Sequence, residues 1–217
     1  MERFFILDKY NTFIDWSLIL TKKSAPQPKV KTNYINLDGV SGTLDMSEAL
    51  TGEVAYDDRT VSATFWTDKG NRSSRAKLIR DITTKLHGKK VKIIDPDYPT
   101  QYYYGRVEVG EPNNTASYME FTITATCDPW RYSLNEAVRL CTVSGSDVDL
   151  IIVNNGFKTL CPDITVNGAV TITLGDVATA LTNGSYKVTN LRLKAGSNVL
   201  NISGSGTVTL RYREADL

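Results

Sequence analysis

The chain is poor in the residues that most enzymatic chemistry needs. Its 217 residues include one histidine, His87, and three cysteines, Cys127, Cys141 and Cys161. A single histidine excludes His-rich metal sites and every zinc motif that needs two. The cysteines are odd in number, irregular in spacing and without a CxxC pair, so they make neither a disulfide framework nor a zinc site. A bridge between two of them is unforced, and buried thiols in a reducing compartment are the plainer expectation. No Walker A loop occurs, and no G-x-G-x-x-G leads from a strand into a helix. No apolar run approaches a membrane span, and MERFFILDKYNTFIDW carries Glu2, Asp8, Lys9 and Asp15 where a signal peptide would be apolar. A charge field is missing too. The net charge is +1, with 41% hydrophobic and 23% charged residues, the balance of a soluble globular protein without a general attraction for polyanions.

What is present is unevenly distributed. Of twenty aromatics, only Phe157, Tyr186 and Tyr212 lie beyond residue 132, and Trp16, Trp66 and Trp130 all lie before it. Charge does not explain the shift, since residues 133–217 carry seven basic and seven acidic side chains. The break predicts two domains, 1–132 and 133–217.

The first half reads as strands around one helix. GEVAYDDRTVSATFWT, 52–67, alternates from Thr60 onward, with a turn or bulge at Asp57-Asp58. In NRSSRAKLIRDITTKLHG, 71–88, Leu78, Ile79, Ile82 and Leu86 recur at helical spacing, and Gly88 can end the helix. KKVKIID, 89–95, turns through PDYP into TQYYYGRVEVG, 100–110, as a hairpin, and SYMEFTITATC, 117–127, alternates as a further strand. KKSAPQPKVK, 22–31, is basic and proline-broken, a solvated linker or arm. The second half reads as a small β-sandwich of short strands: DVDLIIVNNG, CPDITVNG, AVTITLGD, GSYKVTN, LRLKAGSN, VLNISGSG and TVTLRYRE. SGSGT, with Gly204 and Gly206, reads as a hairpin turn between the last two.

Candidate chemistry mostly dissolves on inspection. NLDGVSGTLDMSEAL, 36–50, holds Asp38, Asp45 and Glu48 around two glycines, yet fails as an EF-hand: counted from Asp38, positions 3, 5 and 12 are Val40, Gly42 and Ala49. It reads as glycine turns between extended segments. His87, in the predicted helix's last turn, lacks a paired nucleophile. Asp57/Asp58 and Asp95/Asp97 could do acid–base work, but Asp95 and Asp97 flank Pro96 where turns favour Asp. Tyr103 alternates to the face opposite Tyr102 and Tyr104, giving a core side and an interface side.

Taken in order, these segments resemble the distal tail proteins of long-tailed phages. The resemblance starts in NYINLDGVSGTLDMSEALTGEVAYDDRTVSATF, 33–65, where an extended segment meets a glycine turn, then G-x-L-D, then a strand carrying Y-x-x-R. Asp38, Gly39, Gly42, Leu44, Asp45, Tyr56 and Arg59 supply those positions as a ring-assembly segment. CDPWRY, 127–132, resembles the family's domain junction, with Asp128, Pro129 and Trp130. NNGFKTLCPDITVNG and GSNVLNISGSGTVTLRYREADL resemble its C-terminal sandwich. The resemblance implies a mainly β fold: an N-terminal β-barrel-like domain with one α-helix and a β-hairpin, then a small galectin-like β-sandwich. It implies a hexameric ring at the tail's end that joins the tail tube protein to tail-tip, tail-associated lysin and receptor-binding proteins. It further implies assembly in the host cytoplasm, residence in the virion tail, transient non-specific passage of DNA, no membrane insertion, no catalysis and no cofactor. Residues 20–50 are expected to include a subunit-crossing arm, with any carboxylate there pairing with Arg59. Two rivals remain: a carbohydrate-binding adhesion module, which wants an exposed aromatic platform and is disfavoured by a second half with no tryptophan and three aromatics, and a cell-wall hydrolase working through a carboxylate pair.

Overall fold

The computed structural model describes residues 4–49 and 51–217, so Glu2, one of the charges read against a leader, lies outside them. The chain divides into two compact units. One runs to Arg131 and includes Leu217; the other is Tyr132–Asp216.

The first unit carries β1 (Ile6–Leu7), β2 (Tyr10–Asn11), β3 (Ile19–Ser24), β4 (Tyr34–Asn36), β5 (Thr43–Asp45), β6 (Arg59–Thr67), α1 (Arg72–Leu86), β7 (Lys90–Ile94), β8 (Gln101–Val109), β9 (Asn113–Asn114) and β10 (Met119–Ser133). The main sheet runs β2-β1-β7-β8-β10-β6-β3 and curls into a half-barrel. Its centre follows from strict alternation. In β6, Val61, Ala63 and Phe65 are buried, and opposite them in β10 stand Ala125, Ile123 and Phe121. A period of two sends all six to one face, where each large apolar side chain contributes about 1.5–3 kcal/mol of burial. The strand read over 52–67 begins only at Arg59; residues 55–57 instead pair with 29–31 through the Val30–Tyr56 bridge and the flanking bonds.

Helix α1 covers this face with Ile82 and Leu86, both fully buried. Asn71 caps it, its side-chain oxygen accepting the Ser74 N–H at 2.9 Å. The helix is shorter than 71–88. His87 already has ψ 129°, and Gly88, at φ +76°, donates its N–H to the Val107 carbonyl at 2.8 Å. Facing inward is also a residue the periodicity missed. Arg75 is 1% exposed, and its guanidinium donates to the carbonyls of Gly70 (2.6 Å), Thr115 (2.9 Å) and Ala116 (2.9 Å) and to Asn114 Oδ1 (3.1 Å). It stitches the 114–116 loop to the start of the helix.

The second unit holds β11 (Ala137–Ser144), β12 (Val148–Asn154), β13 (Asp163–Leu174), β14 (Val177–Leu181), β15 (Gly184–Lys187), β16 (Gly196–Tyr212) and β17 (Ala215–Asp216). Two segments read as turns are strand interiors. CPDITVNG and AVTITLGD merge into β13, and VLNISGSG and TVTLRYRE merge into β16, with no hairpin at SGSGT. The cause is tertiary. β13 and β16 pair antiparallel from Asp163↔Arg211 to Thr173↔Asn201, so Gly168 lies opposite Gly206. A Cβ on Gly206 would collide with the Asn167 carbonyl oxygen and come within 2.9 Å of the Gly168 Cα; one on Gly168 or Gly204 would likewise strike backbone. These glycines permit a close backbone crossing.

The same register makes the sandwich. On one side of the crossing the strands run β12-β16-β13-β14, on the other β11-β16-β13-β15. Ile164, Val166, Val170 and Ile172 of β13 and Leu200, Ile202, Val208 and Leu210 of β16 all have even numbers, hence one face, and all enter one core. A single face can enclose a core only if the sheet folds over itself at the glycines. LRLK, the first half of LRLKAGSN, forms no strand, and Gly196–Asn198 open β16: Leu191 and Leu193 plug this core at 0% exposure, and only an isolated bridge joins Leu193 to Leu160. β11 and β14 are strands that the periodicity did not reveal.

Candidate assembly surface

The segment from Thr32 to Tyr56 leaves the body of the first unit as an arm. Lys31 N–H donates to the Ala55 carbonyl and Asp57 N–H to the Lys29 carbonyl, both within 2.8–2.9 Å, closing its base. Beyond that, β4 and β5 form a two-stranded sheet of their own, with Tyr34↔Asp45, Ile35↔Leu44 and Asn36↔Thr43 in register. At its tip, Gly39 (φ +81°) and Gly42 (φ +87°) supply the left-handed residues of the turn around Asp38, and neither has a neighbour that a Cβ would meet. The two strands expose apolar side chains instead of burying them: Tyr34 is 58% exposed, Val40 62% and Leu44 48%, with Ile35, Leu37 and Val54 also open. The acids of the arm are Asp38, Asp45, Glu48 and Glu53, and it contains no basic residue. An apolar, acidic ribbon with both outer edges unpaired is a poor solvent surface and a good pairing surface.

The structure divides the resemblance's seven assembly positions between the arm and its base. Asp38, Gly39, Gly42, Leu44 and Asp45 lie in the arm. Arg59 is the partner expected for a carboxylate of this segment, and Asp45 does not pair with it. Asp45 turns back on its own strand, accepting the Ser47 hydroxyl at 2.5 Å and the Ser47 N–H at 2.9 Å, and these bonds, the hydroxyl's first, hold its carboxyl below the usual range. Tyr56 packs edge-on against Trp130, ring centroids 5.4 Å apart, so one assembly position meets one junction position. Asp128 receives Lys90 Nζ at 3.0 Å, and Pro129 lies with both inside β10.

Arg59 itself is 3% exposed at the inner end of a niche of about 220 Å³. Its Nη2 donates to Gln27 Oε1 at 3.2 Å, the Tyr103 ring lies 5.4 Å from the guanidinium, and Cys127 stands opposite in register. Burial lowers the Arg59 pKa, and burial likewise drives the Cys127 thiol up to about 12, so that thiol is neutral. Arg59 Nε has no hydrogen-bond partner. At the niche's outer side Lys23 Nζ bridges Asp95 Oδ1 and Asp97 Oδ2, each at 2.5 Å, while Arg131 donates to the Leu217 main-chain oxygen and lies over the Tyr98 ring at 3.9 Å. Asp95 also accepts the Asp97 N–H at 2.9 Å, the turn geometry read from the proline, but sequence showed nothing of its partner Lys23, 72 positions away.

His87 Nδ1 accepts the Val109 N–H at 3.1 Å. Tyr103 enters the core, whereas Tyr102 and Tyr104 carry Lys92 and Lys90 over their rings at 4.9 and 4.8 Å. Among the described residues no group of three or more His, Cys, Asp or Glu is placed to hold a metal, and no helix is long and apolar enough to cross a membrane.

No family model matches the chain, and no curated protein matches it. Among solved structures it is similar to the SPP1 Dit (gp 19.1) protein, described as a paradigm of the hub adsorption apparatus in phages infecting Gram-positive bacteria. That match has a TM-score of 0.73 at 15% identity and covers 100% of both chains. Chains of the phage P2 baseplate in its activated conformation, with calcium or strontium, align over 98–99% of this chain at TM-scores of 0.45 and 0.46 and identities of 8% and 9%. The fold likeness falls on the same group of phage tail proteins that the sequence motifs resemble, and the chain is Dit-like in fold from end to end.

Proposed function

We propose that the chain is a structural hub protein of a phage tail. Its first unit closes head to tail into a ring, six copies by the resemblance, at the distal end of the tail tube. The ring carries tail-tip and receptor-binding proteins, and the genome passes through it without specific contact. The observation that carries this reading is the exposed apolar arm from Thr32 to Tyr56. A ring needs a heterologous interface in which one patch meets a different patch on the next copy. A hairpin with free edges meets that need, because a neighbour's backbone can pair with it while its apolar side chains leave water. The fold likeness to the SPP1 Dit protein supports the reading. The role is one of docking, without catalysis or cofactor.

Light scattering after size exclusion, with negative-stain images of the same fraction, tests the proposal. Six copies of 24.0 kDa give about 144 kDa, and rings with an open centre are the expected result. A 24.0 kDa monomer at every concentration overturns a self-closing ring and sends the work to a glycan screen for the adhesion alternative.

A further inference from the structure

We propose that the niche at the base of the arm is a receptor for a single carboxylate, with Arg59 as the group that binds it. Each other charge around the niche already has an opposite or polar partner: Lys23 with Asp95 and Asp97, Arg131 with the Leu217 main-chain oxygen and the Tyr98 ring. Among the described residues Arg59 makes no ion pair, although Asp95 and Asp97 line the same niche. Its neighbours are the Gln27 amide, the Tyr103 ring and, across the strand pair, Cys127, and the charge of Arg131 repels it. A buried guanidinium is normally matched by an anion, because desolvating it without one is costly. Its buried Nε–H has no hydrogen-bond partner and Arg59 lines the niche, so one arm of the fork that would accept two carboxylate oxygens is unused.

The niche also selects the type of anion. A volume of about 220 Å³ admits a carboxylate and its carbon stem and is too small for a nucleotide. Asp95 and Asp97 line the same space, so a dianionic phosphate meets about twice the repulsion that a monoanion does. A carboxylate could arrive as a free small molecule or on another copy's arm, which carries Asp38, Asp45 and Glu48 and contains no basic residue. The chemistry is the same for both, and the proposal does not rest on ring formation.

The test is a titration of the ¹⁵N-labelled full chain, observing arginine Nε–Hε resonances, with acetate against chloride at constant ionic strength. The resonance missing from Arg59→Lys, checked against Arg131→Lys by elimination, identifies Arg59. The expected result is a saturable shift of that resonance with acetate, with a Kd of about 1–10 mM for one charge-assisted contact. An Arg59 signal unmoved by acetate, or moved equally by chloride, overturns the proposal whether or not rings form. A peptide of residues 36–49 then separates the sources. A gain of about tenfold over acetate, lost when Asp38, Asp45 and Glu48 become Asn, Asn and Gln, assigns the carboxylate to a second copy's arm. Binding no tighter than acetate assigns it to a free small carboxylate.

Discussion

Replacing Gly206 by Ala tests the folded-sheet account of the second unit most directly. The added Cβ would lie against two backbone atoms of β13, the Asn167 carbonyl oxygen and, at 2.9 Å, the Gly168 Cα. Neither can rotate away as a side chain could, so β13 and β16 must part where the sheet folds. Overpacking of this kind costs about 1–3 kcal/mol. Gly206 also sits at φ +153°, where an L side chain adds strain of about 1–3 kcal/mol. Together about 2–6 kcal/mol is a large share of the 5–15 kcal/mol that holds an ordinary domain. Gly145→Ala is the matched control. At φ +90° with nothing near its Cβ, it carries strain without a clash, about 1–3 kcal/mol. Because the two units need not unfold together, hydrogen exchange read peptide by peptide is the right assay, with a chemical denaturation curve beside it. Protection in Asp163–Leu174 and Gly196–Tyr212 should fall further in Gly206→Ala than in Gly145→Ala, by about 1–3 kcal/mol of opening free energy. Equal losses in the two variants would refute the close crossing.

Three other perturbations have defined outcomes. The Cys127 thiol, pushed up to about 12 by burial from 9.0, keeps its proton in the folded chain between those values while the unfolded chain loses it. Its contribution is therefore complete below pH 9 and declines as pH rises. Between pH 8 and 10 the wild type should lose about 1.4 kcal/mol more than Cys127→Ala in urea titrations, and parallel pH profiles would contradict this. Arg75→Met keeps the apolar stem but strips the loop carbonyls of their donor, an expected loss of about 2–4 kcal/mol with faster exchange in residues 114–118; a change under about 0.5 kcal/mol would show that the stitching is dispensable. Gly42→Val places a β-branched residue at φ +87°, where nothing lies within 4 Å of its Cβ, so the first unit should melt as before while the yield of rings falls. Intact rings from that variant would sever the turn from assembly.

Periodicity made much of the fold legible, and distance hid the rest. β6, α1, the β7–β8 hairpin and β10 each show their buried face within the segment itself, as Phe65, Ile82 and Phe121 do, so local spacing suffices. Arg75 and Arg59 carry no such mark. Each is one basic residue in a run whose neighbours are ordinary, and what makes it special, the 115–116 carbonyls or the Gln27–Tyr103–Cys127 surroundings, is supplied from elsewhere in the chain. Asp45 shows the converse. A serine two residues on satisfies it locally, a partner that charge type alone does not reveal. SGSGT is the most instructive case, since its composition is that of a turn and its structure is that of a strand. A glycine is wanted either where φ is positive or where another backbone passes too close for a Cβ, and sequence does not separate the two uses. The partner does. Gly168 interrupts one alternating run, Gly204 and Gly206 interrupt another, and the valines and isoleucines on either side of both interruptions keep the same parity. A hairpin turn has no reason to preserve parity across itself, whereas a continuous strand must, and two runs with unbroken parity and glycines near their middles are what a sheet folded on its own crossing requires.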